Sequence, residues 1–329
     1  MSLLRARLRV DAGVELAGEG ALQVAVEVLA PPDPKPVALV CLPGGGMNRR
    51  YFDLQVPNDD SYSFAAQMAA RGFICVLIDP LGVGDSSRPA DSYTLTAEVL
   101  TGANAAATES ILDKLKKGTL VKELTAIPKV ASVGVGHSMG AMLTITQQAL
   151  ARQHRGIAVL GFSTRGLPEY LVGEARELAK DLVAARREVV RLARATFRTD
   201  YPVIGRTEDG ASLYAGKTAE PAGVEAIKAA RQPLLPVTAF MSMLPGNVAP
   251  EAAAIDVPVF VGLGERDMAG PPQDAPKAFT SSPAVTLEVL PGAGHSHFLF
   301  ASRVRLFERL AAWALGLTQK DDNASSGRA

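Results

Sequence analysis

Residues 131–150 read ASVGVGHSMGAMLTITQQAL. An apolar run ends at Gly136-His137-Ser138-Met139-Gly140, and a helix-compatible segment follows without a break. Gly-x-Ser-x-Gly at a strand-to-helix junction is the pattern of a nucleophile elbow. Such a turn is so tight that its serine takes strained dihedrals, and a side chain two residues to either side collides with neighbouring backbone. The strain projects the Ser138 hydroxyl above the carboxyl end of the sheet, where the following helix aims its N–H groups. The short pattern also arises by chance, as a glycine-rich turn with an incidental serine, so its meaning depends on partners elsewhere in the chain.

The chain around the elbow supplies the right setting. Residues 4–29 hold β-like runs with partial alternation, as in an antiparallel edge hairpin. After PPDPKP, apolar runs of strand length at 37–42, 73–78, 130–135, 157–162, 257–263 and 285–290 alternate with segments of helical type. That alternation predicts an α/β fold built on a buried, mostly parallel sheet with helices on both faces. The stretch 164–256 is far longer than one crossover requires. Within it, Leu171, Ala175, Leu178, Leu182, Ala185, Val189 and Leu192 recur at three- and four-residue steps, which predicts one long amphipathic helix over 168–197. PVIGRTEDGASLYAG reads as a hairpin turning at Asp209-Gly210, and the apolar PLLPVTAFMSMLPG follows. The predicted organisation is a core of residues 1–164 and 254–317, a mainly helical cap insertion at 165–253, and a disordered tail at 318–329.

Composition narrows the function classes. Lys plus Arg equals Asp plus Glu at 34 each, so no net field favours nucleic acid or an anionic membrane. Cys41 and Cys75 lie in VALVCL and FICVLI, where cysteine serves as a small hydrophobe rather than part of a disulfide framework. The uncharged stretch 130–151 carries His137, Ser138, Thr144, Thr146, Gln147 and Gln148, too many polar groups for a lone membrane span. MSLLRARLRVDAG has no unbroken apolar run of signal-peptide type, and the protein reads as soluble and cytoplasmic.

A serine hydroxyl needs a base, and the base an orienting carboxylate. Of the histidines, His137 adjoins the serine on a turn that points it elsewhere, as a packed or surface side chain, and His154 in ARQHRG fits a solvated helix end. His295 follows strand 285–290 and the turn PGAG, which puts it at a carboxyl end, where sites of open α/β sheets gather. His297 is its rival. Asp256 precedes its strand and lies at the wrong edge; Asp267 in GLGERDMAGPP follows that strand and lies at the right one, with Glu265 as the alternative. Asp79, ending strand 73–78, fits a turn-capping role. The set is Ser138, Asp267 and His295.

Nucleophile, acid, base in that order is the order of the α/β-hydrolase fold, and the chain resembles that superfamily over nearly all of residues 1–317. GHSMG resembles its elbow, GERD its acid loop, PGAGHSHF its histidine loop, and DPLGVGDSSRP its loop after the fourth strand. The resemblance implies a serine-nucleophile, esterase-like branch with a cap. It implies an oxyanion hole from the backbone N–H of Met139 and a second donor in LPGGGMNRRYF: Gly45 by position, Gly46 as the alternative. Relatives often carry His-Gly where this chain has Pro43-Gly44. An aspartate at position 138 would have pointed to epoxide or haloalkane hydrolysis; serine points to acyl chemistry.

The expected activity is therefore cleavage of a carboxylic ester or related acyl bond in a medium-sized hydrophobic small molecule. A C–C bond hydrolase, lactonase, thioesterase or acyltransferase would use the same residues. A hydrolase-like ligand receptor is the non-catalytic reading. An NAD(P)-dependent reductase is disfavoured, because VGVGHSMG lies mid-chain and IAVLGFSTRG offers no acidic residue to hold a ribose. No cofactor and no metal is called for, since His295-x-His297 lacks further ligands. Phe240, Met241, Met243 and Leu244 are the expected substrate contacts in the cap. The seam of the 168–197 helix offers a surface for a homodimer.

Overall fold

The computed structural model describes residues 3–203, 216 and 218–326. Its strands are β1 Leu4–Asp11, β2 Gln23–Ala30, β3 Val37–Leu42, β4 Ile74–Asp79, β5 Ala131–His137, β6 Ile157–Leu160, β7 Val259–Gly264 and β8 Val285–Leu290. They form one sheet in the order β1-β2-β4-β3-β5-β6-β7-β8. β1 pairs antiparallel with β2, from Leu4↔Ala30 to Asp11↔Gln23, and β2 pairs antiparallel with β4. Every pair from β4 to β8 is parallel.

Apolar side chains on both faces of the inner strands make the sheet a three-layer sandwich. In VALVCL, Ala38, Val40 and Leu42 enter one core, while Val37, Leu39 and Cys41 enter the other. The helices are α1 Phe64–Ala70, α2 Ala97–Lys117, α3 Met139–Ala151, α4 Gly173–Leu178, α5 Leu182–Arg187, α6 Val189–Phe197, α7 Pro221–Ala226, α8 Pro236–Met243, α9 Ala249–Ala253 and α10 Arg303–Ser326. α2 and α3 cover the first face through Leu100, Ile111, Met142 and Ile145. α1 and α10 cover the second through Phe64, Met68, Phe307 and Leu310. Both cysteines are free and buried in the second core, as their strand contexts predict.

Topology places the site. The chain leaves β3 for β4 on one side of it and returns as β5 on the other. The loops that follow β3 and β5 therefore diverge, which opens a crevice at their carboxyl ends.

The described residues between β6 and β7 carry the short helices α4 to α9, and the single helix expected over 168–197 is three of them, α4, α5 and α6, after a turn at Pro168–Tyr170. Gly173 opens α4 with φ +53°, and Asp181 stops the run by accepting the Ala184 N–H at 3.1 Å as the cap of α5. The periodic seam survives the breaks: Leu171, Ala175, Ala185 and Leu192 are buried with Tyr93, Val237, Phe240 and Leu244. Its buried residues pack within the chain. Hydrogen bonds from Ser92 N–H and Oγ to Asp200 (2.8 and 2.9 Å), and from Tyr93 to Thr199 O (2.9 Å), tie this region to the loop after β4. The hairpin expected at Asp209-Gly210 lies outside the described residues. α10 continues to Ser326, into the segment expected as a disordered tail. Once packed turns have nucleated a helix, each added residue contributes a hydrogen bond without a second nucleation cost. No described helix is long and apolar enough to cross a membrane.

Candidate active site

Ser138 sits between β5 and α3 with φ +54° and ψ −122°, a conformation that costs a non-glycine residue about 1–3 kcal/mol. Its N–H donates to Leu160 O (2.7 Å), and its carbonyl accepts from Ala141 and Met142 (2.9 and 3.2 Å), so sheet and helix hold the strain from both sides. The flanking glycines are required by contact. A Cβ on Gly136 would lie 2.4 Å from Ala141 Cα, and one on Gly140 would lie 2.1 Å from Leu42 O.

The loops after β7 and β8 bring the partners to this point. Arg266 N–H donates to Ala293 O and Glu265 N–H to Leu290 O, both at 2.9 Å, which knits the two loops together. His295 Nε2 then lies 2.9 Å from Ser138 Oγ, and His295 Nδ1 lies 2.8 Å from Asp267 Oδ1. Asp267 also accepts the Ala269 N–H at 3.1 Å. Burial pushes its carboxyl up, but the charge and hydrogen bonds of His295 and His297 outweigh that and hold it well below the usual carboxylate range. It is an anion at neutral pH. Glu265, the alternative acid, turns away to accept Gly292 N–H at 2.8 Å.

The other histidines are part of the same construction or lie beneath it. His137 is fully buried and donates from Nε2 to His295 O at 2.8 Å. Burial, with His295 and His297 adding to it, keeps its pKa well below the usual histidine range, so it stays neutral and able to donate once. Tyr51 lies tilted against its ring at 4.5 Å between centroids and stacks on Phe298 at 4.7 Å. His297 is fully buried, with Nε2 2.8 Å from Asp267 Oδ2. His154 is not at a solvated helix end. It is 4% exposed beneath β5, with Nδ1 3.1 Å from Ser132 Oγ, and burial pushes its pKa down to about 4. Gly134 makes this room: a Cβ there would lie 2.9 Å from the His154 ring. Asp79 does cap its loop, accepting Arg49 and Asp85 N–H at 2.7 and 3.0 Å, and it also pairs with the buried Arg49 guanidinium.

A cavity of about 220 Å³ opens over Ser138 and His295, lined by Gly45, Met139, Leu167, Phe197, Leu234 and Met243 among others. Met139 and Gly45, the expected donor positions, thus both line the cavity with the serine, one from the start of α3 and one from the loop after β3. Gly46 is not among the residues lining this cavity; its φ is +73° and its carbonyl accepts Gln232 N–H at 2.7 Å. Of the expected cap contacts only Met243 lines the cavity. α8 presents Ala239, Ser242 and Met243 to it, at helical spacing, while Phe240, Met241 and Leu244 turn into the core. A second cavity of about 20 Å³ touches Ser138, Ser163 and His295. Sequence reasoning missed the bridging contacts of His137 and His297; the His-x-His spacing was the available signal. Among the described residues no cluster of His, Cys, Asp or Glu suits a metal ion.

Comparison with known proteins agrees with this architecture. The sequence pattern of a family described as the alpha/beta hydrolase family matches residues 39–308. No curated protein matches the sequence closely enough to count as a relative. Among solved structures, a thermophilic esterase from Thermogutta terrifontis superposes with a TM-score of 0.58 at 17% identity, covering 94% of this chain and 99% of that one. An N-acyl homoserine lactonase gives 0.56 at 16% identity, covering 97% and 98%. A thioesterase domain from the curacin biosynthetic pathway gives 0.51 at 17%, covering 94% and 99%.

Proposed function

The chain belongs to the alpha/beta hydrolase family, and we propose that it is a serine hydrolase cleaving a carboxylic ester or closely related acyl bond. The observation that carries the proposal is the unbroken hydrogen-bonded series from Ser138 Oγ through His295 to the buried Asp267 carboxylate. In this reading the three side chains are a catalytic triad and the helical insertion is a cap. His295 Nε2 takes the Ser138 proton as Oγ bonds to the acyl carbon, and Asp267 holds the imidazole and stabilises the cation that forms. Met139 and Gly45 N–H groups bind the oxyanion, each worth about 3–4 kcal/mol in such a site. The leaving alkoxide takes the proton from His295 as its bond to the acyl carbon breaks. Water then attacks the acyl-serine, its proton passing to His295, and the acid leaves as Ser138 recovers its hydrogen. The small cavity beside His295 is large enough for that single water.

The apolar lining of the larger cavity suits an acyl chain rather than a charged or sugar-like group. Lactones and thioesters pass through the same tetrahedral oxyanion, and the esterase, lactonase and thioesterase among the structural neighbours make all three bonds worth assaying. A fluorophosphonate probe followed by peptide mass spectrometry tests the site, and graded p-nitrophenyl esters beside lactones and thioesters test the substrate. Labelling at Ser138 that disappears in Ser138→Ala together with turnover is expected. Labelling at another residue, or undiminished turnover in Ser138→Ala, refutes the proposal.

A further inference from the structure

Asp267 has two histidine partners. His295 Nδ1 is 2.8 Å from Oδ1, and His297 Nε2 is 2.8 Å from Oδ2. The His297 and Asp267 side chains are both fully buried, so water does not compete for either contact. The tautomer of His297 follows from its neighbours. Gly264 N–H also points at Nε2, from 3.2 Å, but one ring nitrogen cannot accept from a backbone amide while donating to a carboxylate. The shorter contact is to an anion, and a bare nitrogen lone pair facing that anion would be repelled. Nε2 therefore carries the hydrogen and donates to Asp267. Nδ1 is left buried without a partner among the described residues. This ring is placed to make one charge-assisted hydrogen bond, and that bond ends on the carboxylate that orients the base.

We infer that His297 is a positioning residue for the base: its Nε2–H fixes the plane of the Asp267 carboxylate and draws part of its charge away from His295. This rests on the proposed hydrolase reading. A carboxylate that loses one donor rotates more freely, and its undispersed charge holds the His295 imidazolium more strongly. Base catalysis then begins at higher pH and proceeds from poorer geometry. The other groups around His297 do not supply this effect. His137 is held neutral, with its ring 5.7 Å away, and Tyr51 remains a neutral phenol because burial and the Asp267 charge both push its hydroxyl up. Arg303 and Glu220 pair with each other at 2.5 Å beside Phe300, past the end of the turn that carries His297.

The test is the rate of Ser138 phosphonylation by a fluorophosphonate as a function of pH, which needs no knowledge of the natural substrate. His297→Leu removes the donor, His297→Asn keeps an amide too short to reach, and His297→Gln restores one near the Nε2 position. The acid limb should rise by about 0.5–1 pH unit in the Leu and Asn variants, with a rate loss of roughly tenfold on the plateau. His297→Gln should recover most of both. If the Leu variant does not fold, the Asn–Gln pair, which differ by one methylene, carries the comparison. An acid limb that stays in place in Asn and Gln alike, whatever the plateau rate, reduces His297 to packing and overturns the inference. Wild-type protein that is not labelled at Ser138 overturns the hydrolase reading as well, so the two failures are distinguishable.

Discussion

Replacing Gly140 with alanine tests whether the elbow and the loop after β3 form one catalytic unit. The new Cβ would stand 2.1 Å from Leu42 O and 2.4 Å from Pro43 O. Both are backbone atoms at the end of β3, so no side chain can swing aside to relieve the contact. Carbon–oxygen approaches of this kind settle at about 3.3–3.6 Å, so loop or helix must give by roughly 1 Å. Either the Pro43-Gly44-Gly45 segment moves away from Ser138, or the first turn of α3 rotates and takes the serine with it. Both routes separate the Gly45 N–H from the Met139 N–H, and a misplacement of about 1 Å costs on the order of 10²-fold in rate. The overpacking itself should cost about 1–3 kcal/mol of stability. The assay is kcat and KM on a p-nitrophenyl ester, with thermal denaturation alongside. A fall of about two decades concentrated in kcat is expected, with a lowered but measurable Tm. Gly316→Ala, at an exposed position of α10 where a Cβ would meet nothing within 4 Å, should leave activity unchanged. A Gly140→Ala enzyme within about threefold of wild type in kcat, at unchanged Tm, would refute the steric account of the elbow.

Asp267→Asn should lower kcat by about 10³–10⁴-fold while fluorophosphonate still labels Ser138 slowly, because the amide leaves His295 without its anionic partner; stopped ester turnover measures this. Met243→Trp should fill part of the 220 Å³ cavity and move the chain-length optimum of kcat/KM toward shorter p-nitrophenyl esters, about fourfold per excluded methylene; an unmoved optimum would mean that acyl chains bind elsewhere. For His154, the folded pKa of about 4 lies below its ordinary 6.5, so the unfolded chain takes up the proton first as pH falls and stability is lost across that window. Between pH 7 and pH 5 the loss is about 2 kcal/mol. His137 titrates in the same sense, so the signal is the difference in urea-unfolding free energy between wild type and His154→Asn, and parallel pH curves would contradict it.

What the sequence made legible is what steric or polar necessity writes into residue types. Gly136 and Gly140 are glycines because backbone atoms occupy the space a side chain would need, so the elbow could be read directly. Strand polarity selected Asp267 over Asp256, and the structure puts Asp256 on the far edge beside Arg152 at 3.3 Å. Periodicity in 168–197 fixed which residues face inward but not whether the helix runs unbroken, because a cap at Asp181 and the φ of Gly173 interrupt the backbone without disturbing the seam. In α8 an apolar cluster was visible, but helices this short take their facing from what they dock on. Tyr93 and the seam claimed Phe240 and Leu244, leaving Ala239, Ser242 and Met243 for the cavity. His154 misled because its neighbours Gln153 and Arg155 are polar, while the room for its ring is made by Gly134 on a strand twenty residues earlier.

The sheet order also bears on why residues after β6 line the cavity over Ser138. Ser138 stands at the end of β5, while Asp267 and His295 follow β7 and β8, so β6 lies between the serine and the carboxylate. A side chain just beyond its end would fall among them. At Gly161 a Cβ would lie 3.1 Å from His137 Nε2 and 3.4 Å from Asp267 Oδ2, and φ is +61°. A glycine with positive φ lets the chain pass through that gap without pushing the carboxylate off His295. The residues that follow pack onto the loop after β4 through Tyr93 and Asp200. The same turn that leaves room for the Asp267–His295 pair thus leads into the residues, from Leu167 to Met243, that line the cavity, and lengthening β6 or filling Gly161 would disturb both.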